Sequence, residues 1–461
     1  MRHIAILLLL GWLAHAVTSF RPSEGEASGF AAIALSFGAL MLAALFSGRL
    51  AAKVRLPKIV AYILAGVAVG PSGLGLIPEA TVGRLGLVNG VAVCLIALTA
   101  GGELNLRRMR PLLGVIARIS GIAVLGTCGL LIACLIVASS FLPFLQGYEG
   151  AALVLVAASI GITLTAQSPA VVMAMISETR ADGPVSRVIL GTVVIADLMI
   201  IVLFGVASSV LQLETGGGGD AGAASLSIAW ELFGSMAVGV AVGGVLALHQ
   251  RFVKRDAALF VLLTCAVVSE VGRRVHLDPL IVMLAAGMVL ENLTKAGASA
   301  LLHELEPAGL PVFLVFFALA GASLHVDALT TLGIPALIVA LVRASGFWAG
   351  ANLATRGAEE PVRRYAFAGL LPQAGLALAL AILLRRILPH EGEAAATFVF
   401  AVIAINELTM PLVLRHALLA AGEGGKRPEA GHDAEHAPKP SAPPADPALA
   451  MADGPPVAPD A

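Results

Sequence analysis

The sequence predicts an all-α polytopic membrane protein of about thirteen transmembrane helices, and three observations predict it. Of 461 residues, 58% are hydrophobic and 13% are charged, against about 25% charged in an ordinary soluble domain. Mean hydropathy is +0.92, more than the polar skin of a soluble globule of this size allows. Apolar stretches also recur along the chain at about 17–25 residues, the length needed to cross a bilayer as helix. Helices are the element of choice because open strands leave their backbone unsatisfied in lipid. Net charge is −1, from 29 Lys+Arg against 30 Asp+Glu, so the chain lacks the basic footprint of nucleic-acid binding. Cys94, Cys128, Cys134 and Cys265 are dispersed without CxxC spacing and read as small buried hydrophobes.

At the amino terminus, Arg2 and His3 precede the apolar run 4–13, and Ala14-His15-Ala16 supplies a small-x-small site. This is the pattern of a cleavable secretory signal over residues 1–16, with an uncleaved extra helix as the alternative. The thirteen spans then fall at 30–47, 58–77, 84–100, 111–141, 150–176, 186–212, 225–249, 257–272, 277–292, 308–325, 333–355, 365–388 and 395–420. The stretch 257–292 also admits another division. One alternating set of loops carries Arg49, Lys53, Arg55 and Lys58, then Arg107, Arg108 and Arg110, then Arg180 and Arg187. The same set continues with Arg251, Lys254 and Arg255, then Lys295, then Arg356, Arg363 and Arg364. The opposite set holds only Arg84, Arg273, Arg274, Arg385 and Arg386. Cationic loops stay cytoplasmic, which puts the mature amino terminus outside and the carboxyl terminus in the cytoplasm. Residues 422–461 are rich in Pro, Ala and Asp without hydrophobic period, as in a disordered cytoplasmic tail. His432 and His436 read there as solvated residues, and the glycines at 216–219 as an external loop without the Lys-Ser/Thr of a phosphate loop.

Charges inside spans are costly and mark function or a structural partner. Arg118 is near enough to an interface to snorkel, and Glu270 has Arg273 and Arg274 beside it for an ion pair at the rim. Asp197, in GTVVIADLMIIVLF, is different. It is eleven residues into its span, near the midplane, and has one methylene with which to reach water. A carboxyl away from water is favoured as a neutral acid or beside a cation, so one residue there serves two ligands. A buried hydrogen bond or permanent ion pair to a neighbouring helix is the structural alternative. Arg343, in ALIVALVRASGFWAGA, lies at a similar depth, as a supporting charge near Asp197 or a structural counter-charge between helices.

Two spans carry helix-disturbing runs. In ITLTAQSPAVVMA, Thr163, Thr165, Gln167 and Ser168 precede Pro169; in AGLLPQAGLALALA, Pro372, Gln373 and Gly375 sit at membrane depth. A proline removes a backbone donor and clashes with the preceding turn. Either run alone is an ordinary kink, but interrupted helices at corresponding places in two halves point to a transporter's midplane site.

With these residues in place, the chain resembles the monovalent cation:proton antiporters, in their second, Kef/Nap-like branch of the sodium/hydrogen exchanger superfamily, over about residues 30–420. LPKIVAYILAGVAVGPSGLGLI at 56–77, PVFLVFFALAGASLHVDAL at 311–329 and LAAGMVLEN at 284–292 are similar to elements of that family. The order of features matches as well: broken helices fifth and twelfth, the aspartate in the sixth span, the basic residue in the eleventh. The resemblance implies inverted repeats with crossed discontinuous helices, a mobile core domain, a dimerisation domain and a homodimer. It implies Asp197 as the carboxylate that binds cation and proton in turn, with Thr165, Gln167 and Ser168 on one unwound crossing. Gln373 and Pro372 fall on the partner crossing, and Arg343 takes the supporting basic position. No cofactor and no resident metal are implied, only transported Na⁺ or K⁺ at Asp197, and H⁺. The chain departs from the family at Ala196, where electrogenic members have a second acid, and at Thr192, where some electroneutral relatives have Glu. One carboxyl predicts one-for-one, electroneutral exchange. No G-x-G-x-x-G follows the last span, so no nucleotide-binding domain is expected. The expectation is therefore a transporter and not an enzyme, in a bacterial inner membrane. The alternatives are a sodium-coupled symporter of an organic anion, and a channel or non-transporting sensor.

Overall fold

A computed structural model describes residues 26–426, except 55, 215–229, 254–255, 294–297, 325–326, 374 and 389–390. The leader at 1–16, the glycines at 216–219, His432, His436 and the chain beyond 426 lie outside the described residues. Each of the thirteen expected spans falls on helix. They are α1 (Glu26–Lys53), α2 (Lys58–Val69), α3 (Gly86–Glu103), α4 (Leu106–Val137), the two-part α5 (α5a, Gly150–Thr165; α5b, Pro169–Thr179) and α6 (Pro184–Glu214). There follow α7 (Trp230–Phe252), α8 (Ala257–Val275), α9 (Pro279–Leu293), α10 (Ser299–Ala322) and α11 (Asp327–Ala354). The two-part α12 comprises α12a, Glu360–Tyr365 with a 3₁₀ turn over Ala366–Leu370, and α12b, Gly375–Ile387; α13 is Gly392–Ala420. The ambiguous stretch 257–292 is thus two helices, α8 and α9.

The helices pack as two bundles that alternate along the chain. α3 lies on α9, α10 on α2, and α1, α7 and α8 join them. In the other bundle α5a packs on α4 and α6, while α13 packs on α11 and α12b. Taking α1–α6 and α8–α13 as repeats, the pair α3–α9 in one sense is the pair α10–α2 in the other, the reciprocity expected of two repeats related by a pseudo-two-fold axis. Glycines show the same reciprocity. A Cβ on Gly101 would collide with the Leu284 carbonyl and one on Gly287 with the Leu98 carbonyl, joining α3 to α9. A Cβ on Gly66 would meet the Ala318 carbonyl and one on Gly321 the Ile63 carbonyl, joining α2 to α10. Small residues let membrane helices approach backbone to backbone, where dispersion and not water drives association.

The outer faces are apolar, as lipid requires. Val240, Val245 and Leu248 of α7, Leu259, Leu263 and Val267 of α8, and Ile334, Ile338 and Leu341 of α11 are all exposed. Arg118 is exposed, with its guanidinium on the Gly114 and Arg356 carbonyls. Glu270 pairs with Arg273 and Arg274. The first residues of the segment read as tail fold back onto the bundle. Glu423 is 2% exposed, and its carboxylate accepts from Val185 N at 2.7 Å and Ser186 N at 2.8 Å, capping α6. A carboxylate at a helix amino terminus meets both free N–H groups and the positive end of the helix dipole.

Gly287→Val is expected to lower the melting midpoint of the detergent-solubilised protein, with about 1–3 kcal/mol lost to overpacking. Gly66→Val should do the same through the mirrored pair, whereas Gly114→Ala, with nothing within 4 Å of the added Cβ, should leave the midpoint unchanged.

Candidate functional site

The site starts from two helix breaks. α5a ends at Thr165, and Ser168 begins α5b by accepting Val171 N at 3.2 Å, with Pro169 in the first helical position. That is where proline costs nothing, because the N–H it lacks would have no helical partner. In α12, Leu371, Pro372 and Gln373 separate the two parts, all three buried. Each break frees carbonyl oxygens that lipid cannot satisfy.

Arg343 of α11 meets them. It is 0% exposed. Its Nε donates to Leu164 O at 2.7 Å, Nη1 to Leu371 O at 2.6 Å, and Nη2 to Ala166 O at 2.9 Å and Leu370 O at 3.2 Å. The guanidinium therefore ties the carboxyl-terminal ends of α5a and α12a together, where both helix dipoles are negative. The Phe347 ring lies 4.7 Å from the guanidinium carbon and adds a cation–π contact. Gln373 joins the same knot, its Nε2 donating to Leu164 O at 2.8 Å. The sequence left Arg343 as a supporting charge near Asp197 or as a structural counter-charge between helices. Its hydrogen bonds go to main-chain carbonyls, so its support acts through the crossing.

The remaining predicted residues line the break. Gln167 is 0% exposed and donates to Thr165 O at 2.7 Å, while its Oε1 has no donor. The Thr165 hydroxyl is turned back onto Gly161 O at 2.7 Å. Asp197 sits in α6, which packs on α5a and on both parts of α12. It is 5% exposed, so it faces protein, and its Oδ1 has no hydrogen-bond partner. Asp278, which caps α9 by accepting Leu280 N at 2.7 Å, is within electrostatic reach of Asp197.

Two residues of α13 escaped sequence reasoning. Asn406 is 0% exposed and its Nδ2 donates to Gln373 Oε1 at 2.7 Å, extending the chain Asn406–Gln373–Leu164–Arg343. Glu407 is 1% exposed and neither of its carboxyl oxygens has a partner. The signal was INEL at 405–408, in the middle of an apolar span. It met the standard that singled out Asp197.

The buried polar atoms here are unbalanced. Asp197 Oδ1, Gln167 Oε1, Asn406 Oδ1 and both oxygens of Glu407 all lack donors. An ionised carboxylate and an amide oxygen only accept, and leaving them bare away from water costs free energy. A proton, a cation or a buried water can balance such a set.

Among the described residues, thirteen apolar helices, two of them broken at one buried knot, with a buried acid on the helix packed against both, define an all-helical polytopic membrane protein. The sodium/hydrogen exchanger transmembrane model matches residues 39–419, and the chain belongs to that family. Among solved structures it is similar to the sodium proton antiporter MjNhaP1 of Methanocaldococcus jannaschii at pH 8. The TM-score is 0.62 at 17% identity, covering 87% of this chain and 99% of that one. An electron-microscopy map of the same antiporter gives 0.59 at 16% identity, covering 87% and 96%. Comparison with curated protein sequences gave no match.

Arg343→Met would strand the carbonyls of both breaks, and a loss of about 3 kcal/mol or more is expected in unfolding of the purified protein, since each orphaned buried acceptor costs about 1–3 kcal/mol. Asn406→Ala frees one amide contact and is expected to cost about 1–2 kcal/mol in the same measurement.

Proposed function

We propose that the protein exchanges a monovalent cation, Na⁺ or K⁺, for H⁺ at Asp197. One observation carries this reading: a carboxylate oxygen without a donor, on a helix packed against both broken helices. With a proton, Asp197 is a neutral acid; with a cation, the pair is again close to neutral, helped by oxygens of the crossing at Thr165, Gln167 and Ser168. The bare anion is the costly state, so the empty carrier rarely turns over and leak is suppressed. Cation and proton then compete for one group, which is what couples their flows.

The finer features rest on the family resemblance and on charge. The basic loop ends lie in the cytoplasm, in a bacterial inner membrane, by the excess of Lys and Arg on that side. The bundle of α4–α6 and α11–α13 carries the site as an elevator against the bundle of α1–α3 and α8–α10, in a homodimer. Ala196 and Thr192 leave Asp197 as the acid at that depth of α6, so exchange is one-for-one and electroneutral.

In liposomes with an imposed pH gradient, adding Na⁺ or K⁺ should dissipate the gradient for wild type, and Asp197→Asn should abolish the response while the protein still folds. Exchange retained by Asp197→Asn would overturn the assignment. A membrane potential generated by wild-type exchange would overturn the stoichiometry. Competition also sets the pH dependence: once protons dominate, each unit of acidification should raise the half-saturating cation concentration about tenfold. The rate at saturating cation should change much less.

A further inference from the structure

Glu407 has no part in the mechanism above, yet it is a 1% exposed carboxyl with neither oxygen hydrogen-bonded. Helical spacing places it on one face of α13 with Ile403 and Leu414, both 0% exposed, while Asn406 turns to Gln373 on a neighbouring face. Besides α11, both parts of α12, α5a and the turn at Pro143–Leu145, α13 packs on α5b of its own bundle and on α2 of the other. The charged and titratable groups on those elements are Asp327 and Arg343 on α11, Glu360, Arg363, Arg364 and Tyr365 on α12a, Arg385 and Arg386 on α12b, Glu178 on α5b, and Lys58 and Tyr62 on α2. α13 itself adds Glu393, Arg415 and His416. Arg343 is committed to carbonyls, Arg385 pairs with Glu393, and Glu178 accepts from Lys58 N with both oxygens, at 2.9 and 3.1 Å. Arg415 is within electrostatic reach of Glu178.

Those last contacts concern the same seam. Glu178 of α5b caps α2 across the two bundles, where the preceding Pro57 supplies no side-chain cap. The seam formed by α2, α5b and α13 is thus latched at its basic end while an unpaired acid lies within α13.

We propose that Glu407 is a second proton-binding site, whose occupancy is tied to the packing of α13 against α2 and α5b. Its ligand is H⁺ from the compartment at the basic end of the helices. The neutral acid tolerates burial, and the carboxylate does not. The sign follows: protonation holds the seam closed, ionisation favours the arrangement that admits water to Glu407, and acid slows the carrier independently of competition at Asp197. The proposal rests on the carrier reading for the movement it invokes, but its test needs no transport.

The experiment places a single cysteine at Leu414, on the Glu407 face, in a chain lacking Cys94, Cys128, Cys134 and Cys265 and carrying Asp197→Asn. A membrane-impermeant maleimide is applied to the basic end in vesicles. Labelling is divided by that of a cysteine at exposed Leu419, which cancels the thiol's own titration. From about pH 6.5 to about pH 8.5 the ratio is expected to rise at least about threefold with Glu407 present, and to stay at its acid value with Glu407→Gln. An equal rise in Glu407→Gln, or a flat ratio in both, overturns the proposal. If Glu407→Gln does not fold, Glu407→Asp decides: keeping the rise supports the site, and losing it overturns it. Absence of cation–proton exchange in wild-type liposomes would sink the antiport reading and leave this ratio untouched.

Discussion

A guanidinium spread over four carbonyl oxygens holds the centre of this protein together. Breaking two helices inside a membrane leaves acceptors that neither lipid nor helix geometry can satisfy. Arg343 satisfies the Leu164, Ala166, Leu370 and Leu371 carbonyls at once. The solution is mutual. A buried cation needs compensation as much as the carbonyls need donors, and the ends of two half-helices supply it without a carboxylate. Arg343 thereby leaves Asp197 without a hydrogen bond from that side.

From this follows a division of labour among polar residues that otherwise look alike. Ser168 and Thr165 are turned onto their own helix, Gln373 and Asn406 onto the crossing. These contacts fix the backbone of the breaks. Among the atoms left without a partner are acceptor oxygens on Asp197, Gln167, Asn406 and Glu407, and the hydroxyl of Thr192 in the same helix as Asp197.

Much of this was legible in the chain. Spans follow from apolar length, and the two breaks from Pro169 and Pro372 with polar residues beside them. Asp197 was legible because nothing near it in sequence is charged. The partners of Arg343 were not, because freed main-chain carbonyls leave no trace in side-chain identity; matching depth with Asp197 suggested only that the two lie near each other. Asn406 and Glu407 were legible in principle, close before Pro411, but α13 runs on through that proline as one helix, with no break to draw notice. The fold-back of Glu423 was hidden because a composition typical of a tail gives no hint of a distant helix in need of a cap.

The four glycines that weld α2 to α10 and α3 to α9 have a mechanical consequence. Backbones in direct contact at two symmetry-related seams have no side chains to slide on or re-rotamerise. Those two seams are therefore stiff, whereas the contacts at the crossing are side-chain hydrogen bonds that can be remade.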